Sequence, residues 1–303
     1  MDKLRNRKAR NSKLGQLEGS NMIPFDAEEA LKSGIYISGT TGSGKSDTAM
    51  KIAEFLMALN VIVVVFDPSQ DWIERSALKH MLQPRMNDLY VWEGYVPQKS
   101  IIFDMSQLVE VEKEGFIEDF CKALMLQQSS TPKTDRKQYF LMFEEAHTYF
   151  PQGCMSARRH RNSTYMMTQG RNYGVRFGCI TQFAALLDKK AMRYMKQRYF
   201  GYTDEPNDVN YIRQFFKKEE RRWIEETLPT LKAGTFIYKN GAIHQVFYSN
   251  EFHSDTTPQL VTPPQQPVKQ NAASIHGDAA EIMRILMFVG LFVVVMLIIG
   301  NMR

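Results

Sequence analysis

The 303-residue sequence has only three cysteines, Cys121, Cys154 and Cys179. They form no CxxC pair, which excludes a disulfide scaffold and a cysteine zinc site and fits a reducing compartment. There is no helix-turn-helix spacing, no aromatic-rich nucleic-acid reader pattern and no internal repeat. Met1–Lys13 is basic and polar with no apolar run behind it, unlike a secretory signal. An excess of one charge is also missing: 38 Lys and Arg face 33 Asp and Glu, so the net +5 does not by itself imply a polyanionic partner. With 44% hydrophobic and 23% charged residues the chain is near the globular average, which argues against global disorder.

One segment departs from that average. Ile285–Gly300 is sixteen residues without a charge. As a helix it spans roughly 24 Å, and Ile282–Met302 reaches bilayer length if Arg284 snorkels to the interface. It reads as a single-pass C-terminal anchor, with the body expected on the cytoplasmic side.

Four regions follow: a basic extension (1–33), a globular domain (34–253), a Pro/Gln-rich linker (254–278) and the anchor (279–303). Residues 1–14 carry six Lys/Arg against Asp2, which fits a solvated tail, a nucleic-acid contact or an anionic-lipid contact. From Gly34 to Asn250 apolar runs alternate with amphipathic stretches, the pattern of an α/β domain. Strands are expected at Ile35–Ser38, Val61–Phe66, Leu89–Trp92, Tyr139–Phe143, Val175–Thr181 and Tyr199–Tyr202. Thr235–Lys239 and Ala242–Tyr248 flank Asn240-Gly241, a hairpin signal.

Gly39-Thr40-Thr41-Gly42-Ser43-Gly44-Lys45-Ser46 fits G-x4-G-K-[ST] in full, between an apolar strand and a helix expected over Asp47–Leu59. The glycines let successive N–H groups turn toward phosphate oxygens, and the helix N-terminus adds a favourable dipole. Lys45 supplies a point charge for the β- and γ-phosphates, and the Ser46 hydroxyl is a Mg²⁺ ligand. The expected cofactors are therefore ATP and Mg²⁺, with Asp47 closing the binding segment.

Tyr139–Phe143 is fully apolar, as a buried parallel strand requires, and ends in Glu144-Glu145-Ala146-His147. Strand C-termini line one crevice in a doubly wound sheet, so these acids can face the P-loop. Glu144 then holds the metal-bound water and Glu145 acts as general base. Val175–Thr181 ends in Gln182, placed to sense the γ-phosphate or orient water. Val61–Phe66 ends in Asp67-Pro68, where the acid either supports the metal shell or caps a turn.

The positive charge is concentrated. Between Arg158 and Arg198 ten Lys/Arg stand against the single acid Asp188, a local excess of +9. That field suits a phosphodiester backbone, and Arg158, Arg159 and Arg161 are the leading DNA contacts. A ring-forming NTPase also needs a cation from the neighbouring subunit at the γ-phosphate. Arg171 is the first candidate and Arg198 the second.

Together the motifs resemble the HerA/FtsK superfamily of DNA-pumping ATPases. The resemblance rests on Gly39–Thr48, on Val64-Val-Phe-Asp67-Pro68, on Glu144-Glu-Ala-His147, on Gly170-Arg-Asn-Tyr-Gly174 with Ile180-Thr-Gln182, and on Glu205-Pro-Asn-Asp208. It covers about residues 34–248. It implies a RecA-like P-loop core with a mostly parallel sheet, a homo-oligomeric ring (typically a hexamer) and translocation of double-stranded DNA. It also implies Lys45 and Ser46 at nucleotide and Mg²⁺, Glu144 on the metal side, Glu145 as base and Gln182 as sensor. Glu144 stands where Asp is common, which lengthens the reach to the metal. There is no room for the barrel of cellular HerA or the membrane domain of FtsK. The chain therefore looks more like genome-packaging ATPases of viruses with an internal membrane, with that membrane as one setting and capsid or other membrane proteins as partners. Zot-like filamentous-phage assembly ATPases and a non-motor, membrane-tethered NTP-binding protein are the rival readings.

Overall fold

Runs such as Ile35–Ser38 and Tyr139–Phe143 have no polar face, so each needs apolar cover above and below. The computed structural model describes residues 24–84, 96–156 and 161–249 and the backbone of 259–260. It places these runs in the middle of a sheet that has ten strands among the described residues. They are β1 (Ile35–Ser38), β2 (Ile62–Asp67), β3 (His80–Leu82), β4 (Ile101–Asp104), β5 (Tyr139–Phe143), β6 (Val175–Thr181), β7 (Gln197–Phe200), β8 (Thr235–Asn240), β9 (Ile243–Tyr248) and β10 (Gln259–Leu260). The order is β10-β3-β4-β2-β5-β6-β1-β7-β8-β9, parallel from β10 to β7 and closed by the antiparallel hairpin β8–β9.

Strand side chains alternate between faces, and the core divides accordingly. Val64, Phe66, Leu141, Phe143 and Phe177 belong to one cluster; Val63, Val65, Phe140, Met142 and Ile180 belong to the other. Helix α2 (Lys45–Ala58) buries Ala49, Met50, Ile52, Ala53 and Leu56 in the second. The long helix α4 (Glu110–Ser130) buries Phe116, Ile117, Phe120, Cys121 and Leu124 in the first. Helices α1 (Ala27–Ser33), α3 (Asp71–Arg75), α5 (Arg161–Gln169) and α6 (Lys189–Arg193) complete the surroundings of the strand ends.

Three neighbouring strands end in phenylalanine followed by an acid: Phe103-Asp104, Phe66-Asp67 and Phe143-Glu144. Phe66 pairs in register with Phe103 on one side and Phe143 on the other. Their rings stack at 5.5 and 4.6 Å, and Phe143 stacks on Phe177 of β6 at 5.4 Å. This ladder anchors the strand tips and sets the acids in a row at one edge.

Some expectations shift. The third expected strand, Leu89–Trp92, and the Ile285–Gly300 span lie outside the described residues. β7 starts two residues before the expected strand, α2 starts at Lys45, and the hairpin turns over Gly241-Ala242, with Asn240 paired to Ile243. The globular body begins before residue 34. Asp26 caps α1, Phe25 and Ala30 are buried, and the Gln197 side chain bonds both the N–H and the carbonyl of Asp26. The chain divides into units 1–263 and 264–303, and every described residue lies in the first.

Phe66 is fully buried and touches aromatic rings on both sides. Phe66→Ala should cost about 3–5 kcal/mol in chemical denaturation; a loss under about 1 kcal/mol would show that the ladder does not anchor the strand tips.

Candidate functional site: a phosphate cradle beside paired acids

The P-loop leaves β1 and is fixed at several points. Thr40 N–H donates to the Tyr202 carbonyl at 2.8 Å, Ser43 N–H to the Thr40 carbonyl at 3.2 Å, and Gly234 N–H to the Ser43 carbonyl at 2.9 Å. Gly44 sits at φ +91°, where a Cβ would come within 3.3 Å of Gly234 Cα. At Gly39 a Cβ would meet Ser43 Oγ at 2.6 Å. Both positions therefore require glycine. The loop borders a cavity of about 400 Å³ lined by Thr41, Gly42, Gly44, Lys45, Ser46 and Asp47. Asp71, Arg75, Glu144, Glu145 and Gln182 line the rest.

Glu144, at the tip of β5, is 2% exposed. Its Oε1 accepts from Ser46 Oγ at 3.2 Å, and its Oε2 accepts from Trp72 Nε1 at 2.7 Å. Burial pushes its pKa up to about 7; the Trp72 bond opposes the shift, neighbouring Glu145 adds to it, and Lys45 opposes it. Trp72 lies on α3, whose position is set by Asp67: Oδ2 accepts from Trp72 N–H at 2.8 Å and Oδ1 from Ser69 N–H at 3.1 Å. Asp67 therefore caps the turn into α3. Asp104 is likewise occupied, by Gln70, Gln83 and the Ser106 N–H.

Glu145 adopts φ +49°, a left-handed conformation rare for a residue with a side chain and costing on the order of 1 kcal/mol. In this setting its carboxylate reaches β6: Oε2 accepts from Gln182 N–H at 3.3 Å and lies 3.3 Å from His147 Nδ1. Burial raises its pKa, while Lys45 and the Gln182 N–H oppose the rise. Because β6 lies between β5 and β1, Gln182 falls between the acids and the P-loop, and its Oε1 accepts from Thr41 Oγ1 at 2.8 Å. Burial, and then the nearby Lys45, lower the His147 pKa below the ordinary imidazole value. Thr181 Oγ1 donates to the Phe183 carbonyl, which leaves its oxygen to accept from His147 Nδ1 at 2.8 Å. The Nδ1–H tautomer follows.

The expected cavity residues thus come together, with Gly39, Thr40 and Ser43 building the turn behind it. Asp47 is there too, but its carboxylate is paired with Arg75. Arg171 does not join them. It is exposed in the 3₁₀ turn Gly170–Tyr173 before β6, whereas Gln182 follows the strand's other end, roughly 20 Å along seven residues. Arg198 is committed elsewhere: it donates to the Met192 carbonyl and stacks on Phe215 at 4.6 Å. Arg176 is buried against the Leu31 and Val175 carbonyls. These two leave the basic surface counted from sequence, while Arg161, Lys189, Lys190, Arg193 and Lys196 are exposed. Arg158 and Arg159 lie outside the described residues. Sequence reasoning missed Trp72, Asp71 and Arg75; the one signal was a tryptophan in a polar stretch after Asp67-Pro68.

A strand, glycine loop and helix facing an acid-tipped parallel strand define a P-loop NTPase. Residues 12–149 match the family model described as "Helicase HerA, central domain". Over that segment the chain is similar to the HerA central domain, and its fold is that of P-loop NTPases. Solved structures share the fold. The genome packaging NTPase B204 from Sulfolobus turreted icosahedral virus 2, in complex with ATP-gammaS, is 16% identical with TM-score 0.52, over 71% of this chain and 96% of that one. The bacterial conjugative coupling protein TrwB is 10% identical with TM-score 0.59, over 85% and 93%. A comparison with curated protein sequences gives no match.

The oxygen donors Ser46 and Glu144 suit Mg²⁺, which commonly takes one or two protein ligands and completes its shell with phosphate and water. Among the described residues there is no group of three or more His, Cys, Asp or Glu placed to hold a metal alone.

The raised Glu144 value means that folding takes up a proton between about pH 4.5 and 7, so stability falls as pH rises through that window and the loss is complete above about 7. Glu144→Gln keeps an acceptor for Trp72 and removes the buried charge. The nucleotide-free variant should melt several degrees above the parent at pH 8, on the order of 2–3 kcal/mol, with little difference near pH 4.5. A lower melting temperature at pH 8 would show that the charged form is the one the fold favours.

Proposed function

We propose that this chain hydrolyses ATP to translocate double-stranded DNA, working as a ring, typically a hexamer, tied to a membrane by Ile285–Gly300, and that it packages a viral genome. The observation that carries the reading is the cavity in which Lys45, Ser46, Glu144, Glu145 and Gln182 converge. P-loop N–H groups and Lys45 would take the phosphates of ATP. Ser46 and Glu144 would hold Mg²⁺, which when bound draws charge from the β- and γ-phosphates. Glu145, with its raised pKa and its carboxylate steadied by Gln182 N–H, takes a proton from the attacking water. Gln182, bonded to Thr41 of the P-loop, senses whether the γ-phosphate is present. Arg171, on the far edge from its own pocket, is the proposed cation for a neighbour's γ-phosphate.

DNA contact is assigned to Arg158, Arg159 and Arg161. Support comes from the neighbouring segment: Gln152 bonds the Ala185 and Leu187 carbonyls, and Lys190 bonds Ser156. The exposed Lys190 therefore stands beside Ser156, which precedes those arginines in the sequence. Among the described residues no helix is long and apolar enough to cross a membrane, and the anchor is a proposal from sequence. It places the ATPase domain on the cytoplasmic side, or against a virion's internal membrane with capsid or membrane proteins as partners. The likeness to a viral genome packaging NTPase supports the packaging reading.

The test is ATP hydrolysis by the full chain with and without duplex DNA, alongside its assembly state. Stimulation by DNA in an oligomer is expected; hydrolysis that responds to coat protein and not to DNA would favour the filamentous-phage reading. Lys45→Ala should abolish turnover. Glu145→Gln should keep ATP binding and slow hydrolysis by about 10²-fold or more; fast turnover would place the base elsewhere. Neutralising Arg158, Arg159 and Arg161 together should flatten the salt dependence of DNA binding by up to about 2–3 in log–log slope, and an unchanged slope would remove that stretch from the DNA path.

A further inference from the structure

The cavity contains a second cation that the proposed chemistry leaves without a task. Arg75, the last residue of α3, lines it together with Asp71 and Asp47. One terminal nitrogen donates to Asp47 Oδ1 at 2.7 Å; the other stands 3.9 Å from Asp71 Oδ2, beyond hydrogen-bond distance. The side chain is 38% exposed. A guanidinium has five donors in a planar fork suited to phosphate, and the Asp47 bond uses one.

Its placement is rigid. Trp72, one turn earlier on α3, is bonded to both Asp67 and Glu144, and Glu144 also meets Ser46. Arg75 is thereby held against Asp47, the residue next to Ser46. Charge balance gives this cation a role. Four carboxylates line the cavity, Asp47, Asp71, Glu144 and Glu145, against two cations, Lys45 and Arg75. Even with Glu144 protonated the lining holds three carboxylates against two cations, so Arg75 adds to Lys45 and Mg²⁺ in offsetting the repulsion that an entering polyphosphate meets. Arg75 is the more open partner, 38% exposed against 14% for Asp47, so its remaining donors can be reached by phosphate oxygens.

We propose that Arg75 binds the nucleotide's polyphosphate in cis, trading the Asp47 carboxylate for phosphate oxygens when nucleotide enters. The inference rests on reading the cavity as the nucleotide site. The competing role is structural, with the pair merely tying α3 to α2. Phosphate number separates the two. A structural loss weakens all nucleotides alike, whereas a lost phosphate contact weakens the longer polyphosphates most.

The experiment measures the affinities of AMP, ADP and ATP, with Mg²⁺, for the detergent-solubilised full chain and its R75A and R75K variants. R75A should weaken ATP at least tenfold and ADP less, leave AMP within about twofold, and be partly rescued in R75K. R75Q, which keeps a hydrogen bond to Asp47, replaces R75A if that variant melts early. Equal weakening of all three nucleotides, or none, overturns the proposal while leaving the nucleotide site standing. A parent protein that binds none of the three overturns both.

Discussion

The structure turns on one buried carboxylate. Glu144 ends a strand that is apolar throughout, and taking its charge out of water is unfavourable, as its raised pKa records. Two donors make the position tolerable, Ser46 from the P-loop helix and Trp72 from α3. Each restricts the other elements. Ser46 can meet Glu144 only if the P-loop helix starts beside β5, and Trp72 can do so only if the chain turns sharply after β2. Asp67 enforces that turn by accepting both the Ser69 and Trp72 N–H groups. The phosphate cradle, the acid and α3 therefore form one arrangement, and Arg75 and Asp71 reach the cavity as a consequence.

Beneath this polar layer lies the aromatic ladder of Phe103, Phe66, Phe143 and Phe177. It supplies the rigidity that an acid row needs, because stacked rings on adjacent parallel strands hold the tips in register. Beside it a second polar path runs from Thr41 through Gln182 to Glu145, and from Glu145 through His147 to Thr181 and Phe183. Phe183 opens the segment that leads to Lys189 and Lys190.

Much of this was legible in the sequence, for a local reason. The P-loop, the acid pair after β5 and Gln182 after β6 are each carried by a short contiguous segment, so spacing alone places them on strand ends. The missing parts are those whose partners lie far along the chain. β4 is only four residues long, too short for a periodic signal, although its Phe103-Asp104 repeats the ending of β2. Trp72 is 72 residues from its acceptor, and Asp26 is 171 from Gln197, contacts that no window detects. The local charge excess misled in the opposite direction. Arg176 and Arg198 were counted as surface because composition cannot tell a solvated guanidinium from one folded onto carbonyls and a ring.

Trp72 offers a direct reading of the central arrangement, because its indole N–H is bonded to the carboxylate on which the site depends. The decisive measurement is the emission of Trp72 in a full-length W92F/W223F variant as Mg²⁺ and ATP are added. The account predicts a saturable change in intensity or wavelength that needs both metal and nucleotide and disappears in Lys45→Ala. Emission unchanged at saturating Mg²⁺–ATP would contradict it, since the carboxylate would then take no part in receiving the nucleotide.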